Sequence, residues 1–108
     1  WAPEVYPICF DPELPGSDLR VRMFAPRLGV PEDPATGAAA TALAGYLAPR
    51  AGVADGTLRW VVEQGFEMGR PSILEVEADM AGGELRAVSV GGAAVMVSEG
   101  SFEVPEGK

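Results

Sequence analysis

The 108-residue sequence contains no histidine. That absence removes imidazole general-base chemistry, Ser–His–Asp triads and most zinc sites. Cys9 is the only cysteine, so no disulfide can close within the chain, which suits a reducing, cytoplasmic setting. Basic residues are few: 8 Lys and Arg stand against 16 Asp and Glu, a net charge of −8. Charge of that sign repels phosphate backbones and anionic lipid, so neither nucleic acid nor a membrane is an expected partner. No apolar run approaches the length of a membrane span, and no basic-then-apolar leader is visible. Internal repeats and linker tracts are also missing. With 47% hydrophobic residues the chain is not disordered, and residues 1–108 are expected to form a single domain with a modest core.

What is present centres on 33–48, DPATGAAATALAGYLA. After Asp33 this stretch has no charge, and seven of its residues are alanine. Surface helices carry one apolar stripe and one polar face. A stretch this small and apolar all round predicts a short helix enclosed on every side. Asp33 suits the N-cap and Pro34 the first helical position, with Thr36 a second possible cap. Gly37 has no side chain, so backbone could approach a ligand there. The first N–H groups of a helix lack internal partners and carry partial positive charge, which fits a carboxylate or phosphate. Two readings follow. In the simpler one Asp33 only caps the helix and the glycine is incidental; in the other the helix start is a binding site.

Around this helix the pattern is mostly strand. Val5 to Phe10 reads as a strand between proline-rich flanks, with Cys9 as a small buried hydrophobe. In Leu19 to Ala25, Leu19, Val21 and Met23 share a face opposite Arg20 and Arg22. Arg22 either steers an anionic substrate or, as is commoner, pairs with a carboxylate. Leu58 to Gln64 places Leu58, Trp60 and Val62 on one face. The stretch from Gly65 to Pro71 bends, and Arg70 in it is either an ion-pair partner or a substrate contact. Leu74, Val76, Ala78 and Met80 alternate with acidic residues, and Ala81-Gly82-Gly83 makes a hairpin turn. Glu84 to Val90 returns, Gly91-Gly92 bends the strand, and Ala93 to Ser98 is expected as a last strand. The tail should fray beyond Val104. Six strands and one buried helix make an α+β half-domain, an antiparallel sheet or half-barrel wrapped around the helix.

Four ordered blocks give a resemblance. Gly29 through Ala39, GVPEDPATGAA, resembles the EDPATG-S-A signature of the PhzF family of phenazine-biosynthesis isomerases. Arg22 to Pro26, Glu63-Gln64-Gly65 with Met68 to Ser72, and Val90 to Ala93 resemble that family in the same order and spacing. The likeness runs from about Leu19 to Gly100. It implies a diaminopimelate-epimerase-like fold, in which two similar halves each wrap a sheet around a central helix with the active site between them. This chain resembles the second, C-terminal half.

The resemblance further implies a cofactor-independent isomerase or epimerase, using no metal, that moves a proton on a small carboxylate-bearing substrate. Asp33 matches an active-site aspartate. Thr36, Gly37 and Ala38 fall where substrate is held at the helix start, and Ala38 stands where the family usually has serine. The family's main acid/base residue lies in the first half, which this chain lacks. The expected partners are therefore a complementary first-half domain or a second copy in a homodimer. Two alternatives remain beside the enzyme half: a binding module for anions without turnover, and a structural half-domain that self-associates.

Overall fold

The computed structural model describes residues 3–107. Chain order begins with β1 (Ile8–Cys9), β2 (Leu19–Val21), β3 (Met23–Ala25) and β4 (Val30–Asp33). The helix α1 (Gly37–Leu47) follows, then β5 (Gly56–Gln64), β6 (Ser72–Ala81) and β7 (Glu84–Gly91). Five strands form one sheet in the order β1-β2-β5-β6-β7, and β3 and β4 pair separately. The α+β class is as expected. The large sheet is mixed, because β2 runs parallel to β5 while the other neighbours are antiparallel.

The core follows from two periodicities. In β6 every second residue is buried: Leu74, Val76, Ala78 and Met80. Ala40, Leu43 and Ala44, spaced three and four apart, form the matching helix face with Ala48 just beyond it. Alanine at three of these four positions brings the helix close to the sheet. Leu19 and Val21 from β2 and Val62 from β5 complete the cluster, with Leu58 and Trp60 packed against it. The hairpin between β6 and β7 turns on Gly82 and Gly83, whose φ values of 60° and 76° suit only glycine in sequence.

Several details depart from the sequence expectation. The helix is not enclosed. The sheet covers one side only, and Ala38, Ala42 and Tyr46 (54% exposed) form an outward stripe. The helix also starts at Gly37, not beside Asp33, which belongs to the end of β4. Leu19 to Ala25 is two short strands that serve different sheets. Pro7, with no N–H to donate, splits the N-terminal segment into a Val5–Phe24 bridge and the two-residue β1. Cys9 on that edge strand is exposed rather than buried. No strand forms over Ala93 to Ser98: β7 ends at Gly91, and Val95 and Met96 are 84% and 88% exposed. Among the described residues no helix is long and apolar enough to cross a membrane.

At the end of β5 two consecutive polar side chains are wholly buried, Glu63 and Gln64, and strand alternation sends them to opposite faces. Glu63 anchors the loop before β2, accepting from the Glu13 N–H (2.9 Å) and the Leu14 N–H (2.6 Å). Burial pulls the Glu63 carboxyl upward. Those two N–H groups, the Ser17 side chain and the Arg20 charge outweigh it, so it sits below the ordinary glutamate value. A carboxyl depressed in the folded state stabilises at pH above its unfolded value and loses that contribution as pH falls through the folded one. Glu63→Gln should therefore cost about 2 kcal/mol at neutral pH, as for hydrogen bonds to a charged group. The difference from wild type should shrink once pH drops below 4.5, the ordinary glutamate value. Urea melts of both proteins across that range check it; a gap that does not change with pH contradicts it.

Candidate functional site at the helix start

The chain reaches the helix through β4, and Arg22 holds that approach. Its guanidinium donates twice to Glu32, at 2.7 and 3.0 Å, and lies 4.9 Å from the Phe24 ring centre. The same pair holds the Glu32 carboxyl below its ordinary range. Arg22 is thus committed to a carboxylate of its own chain, the commoner of its two expected roles. Arg70, exposed, makes no ion pair among the described residues; what ties its position is its backbone N–H, which donates to Gly65 O at 2.9 Å. The ion-pair role expected for it is not seen.

Between Asp33 and Gly37 the backbone turns from strand to helix. Thr36, with extended φ of −122°, occupies the N-cap position, but its own side chain makes no cap hydrogen bond. Its hydroxyl instead donates to Asp33 Oδ2 at 2.5 Å. Asp33 is not the cap; Thr36, the second candidate, holds the N-cap position, but its hydroxyl is turned to Asp33 instead of the helix N–H groups. The role passes to Gln64, which reaches in from β5. Its Oε1 accepts the Thr36 N–H at 3.1 Å. Its Nε2 donates to Asp33 O at 2.7 Å and to Thr36 Oγ1 at 2.9 Å. One amide side chain therefore closes the turn from both ends. The next residue, Gly65, has φ of +83°, and a Cβ there would lie 2.3 Å from Arg70 O and 2.8 Å from Pro34 O. Only glycine lets β5 end this close to the Asp33–Pro34 corner.

Gly37 and Ala38 form the first turn, with N–H groups that have no intrahelical acceptor. Ala38 is exposed and Gly37 half-buried. A Cβ at Gly37 would meet Val90 Cγ1 at 3.7 Å, an ordinary contact. The fold does not require glycine there. The structure thus brings Asp33 and Thr36 into direct contact and sets Gly37 and Ala38 beside them on the open end of the helix. It does not enclose the four in a cavity. The nearest groove, about 460 Å³, lies between Ala35, the start of β6 (Ser72 to Glu75) and Gly91 to Ala93, and takes only Ala35 from this segment.

Gln64 escaped residue-type reasoning, although one signal was available: a polar amide closing an apolar strand directly before glycine. Such a side chain is either exposed or, when buried, must satisfy both its donor and its acceptor atoms.

Comparison with known proteins gives the family. The chain is 43% identical over 86 residues to a protein of Mesorhizobium japonicum named as an uncharacterized isomerase, covering 80% of this chain and 28% of that one. It is 42% identical over 85 residues to the trans-2,3-dihydro-3-hydroxyanthranilate isomerase of Pseudomonas aeruginosa, covering 79% of this chain and 30% of that enzyme. An uncharacterized isomerase of Deinococcus radiodurans is 41% identical over 81 residues, covering 73% and 26%. The chain thus spans under a third of the length of these relatives. Residues 4–100 match the PhzC-PhzF family, described as phenazine biosynthesis-like protein, and the chain belongs to that family.

Proposed function

We propose that this chain is the C-terminal half of a cofactor-independent isomerase that moves a proton on a small carboxylate-bearing substrate. Asp33 serves as one acid/base group. The Gly37 and Ala38 N–H groups, with the helix dipole behind them, receive the substrate carboxylate. Thr36 orients Asp33 and borders the same site. The observation that carries this reading is the open first turn beside a fixed carboxylate, at a glycine the packing does not need. Gly37 is the first helical residue, where the cost glycine carries in a helix interior does not apply. With room for a methyl group present, close approach of a ligand supplies the reason for keeping it. Relatives named isomerases support the reaction class.

Proton transfer across a carbon normally takes two positioned groups, and this chain offers one. On this reading the second belongs to a first-half domain. Alone, the chain should be slower by about a hundred- to ten-thousandfold, the usual contribution of one general acid or base. Deuterium incorporation from heavy water into a small unsaturated carboxylate measures this. Exchange should appear when a separately made first half is added, fall with Asp33→Asn, and stay equal or rise with Ala38→Ser. Fast exchange by the unmixed chain that Asp33→Asn leaves untouched contradicts the assignment.

Self-association is the second reading, and a specific observation favours it. Ala38, Ala42 and Tyr46 face outward together, and Val95, Met96 and Val97 are exposed in a row. Apolar surface of that kind marks an interface. In this reading a second copy is the cover, giving a two-fold homodimer. The free, exposed Cys9 fits a reducing cytoplasm. Sedimentation equilibrium at high micromolar concentration should show the dimer, and Tyr46→Glu should shift it toward monomer. A clean wild-type monomer contradicts this reading.

A further inference from the structure

The reading of Asp33 as an acid/base group leaves open what holds its carboxylate still, and the hydrogen bonds around Gln64 answer that. Gln64 is fully buried and is the one carboxamide side chain in the sequence, since asparagine is absent. Its orientation follows from its partners. Asp33 O is an acceptor only, so it must face the amide NH2; the Thr36 N–H is a donor only, so it must face Oε1. One Nε2 proton goes to Asp33 O at 2.7 Å, and the other goes to Thr36 Oγ1 at 2.9 Å. The Thr36 oxygen is then an acceptor toward Gln64. Its single proton is directed to an atom that only accepts, Asp33 Oδ2. The polarity of the whole chain is set from the buried amide outward.

We propose that Gln64 is a positioning residue which, through the Thr36 hydroxyl, holds the Asp33 carboxylate in one rotamer beside the helix start. The inference rests on the isomerase reading for its purpose but not for its geometry. Two features support a positioning role beyond general packing. Gln64 contacts both the backbone of Asp33 and the group that holds the Asp33 side chain, so main chain and carboxylate are referenced to the same atom. Gly65 then brings the end of β5 against Pro34 O, fixing the distance over which the amide reaches. A hydroxyl at position 36 is needed, and either threonine or serine supplies it.

The test uses NMR on the isotope-labelled chain. The Gln64 carboxamide pair is unambiguous, because the chain has no other. In wild type its two protons should be well separated and slow to exchange with solvent, and Asp33 should show the Hα–Hβ couplings of one staggered rotamer, either one large and one small or both small, rather than two equal intermediate values. Thr36→Val should move one Gln64 carboxamide proton, leave the other near its place, and collapse the Asp33 couplings toward one averaged value. Thr36→Ser should restore both signatures. Gln64→Leu should average Asp33 as well; if it fails to fold, Thr36→Val and Thr36→Ser decide. Averaged Asp33 couplings in wild type, or a single Asp33 rotamer retained in Thr36→Val, overturns the proposal. These signals do not depend on turnover. Absent deuterium exchange with a pinned Asp33 removes the isomerase reading alone, and an averaged Asp33 in an active mixture removes the positioning alone.

Discussion

A buried amide is costly unless both its ends are satisfied, and Gln64 is satisfied only by one arrangement of the Asp33–Thr36 turn. That constraint organises the rest. It takes the place of a side-chain cap, so the helix starts at Gly37 rather than beside Asp33. It spends the Thr36 N–H and leaves the next N–H groups open. It also couples the centre of the sheet to the helix, because β5 pairs with both β2 and β6. Glu63, one residue earlier, does the same on the opposite face for the loop at Glu13 and Leu14. Two adjacent polar residues thus fasten the two irregular segments that the apolar core leaves unheld.

Where one physical rule dominated, the sequence was legible. Alternation of apolar and acidic residues in β6 located that strand and its buried face, and the glycine pair located its turn. The Arg22 pairing followed from ordinary charge statistics, and ordered motif blocks identified the family. Legibility ended where distant residues compete for one group. The capping of the helix could not be read locally, because the capping side chain lies 28 residues further along. An all-apolar helix implied cover on every side; the sequence pattern cannot say whether that cover lies within the same chain. The same applies to Ala93 to Ser98, whose composition suits a strand but which has no partner among the described residues.

The outward helix stripe and the apolar segment after Gly91 are surfaces that a larger assembly would cover. The helix start lies beside these surfaces, with Ala38 exposed. On the proposed reading, a site divided between two bodies would account for Asp33, Thr36, Gly37 and Ala38 adjoining one another while the 460 Å³ groove takes in none of them. On the proposed reading, Ala38, standing where the resemblance leads one to expect serine, would leave anion recognition to backbone N–H groups at this end.

The central claim is that the helix start, as Gln64 holds it, is the ligand-binding end. Titrating the labelled chain with a small carboxylate such as acetate, followed by amide NMR, tests it directly. The account predicts that the Gly37 and Ala38 amides shift together along one weak, saturating curve. It predicts also that Gly37→Ala weakens the response without lowering the melting temperature, since a Cβ fits there at 3.7 Å from Val90. Amides of Gly37 and Ala38 that stay in place throughout the titration would contradict it.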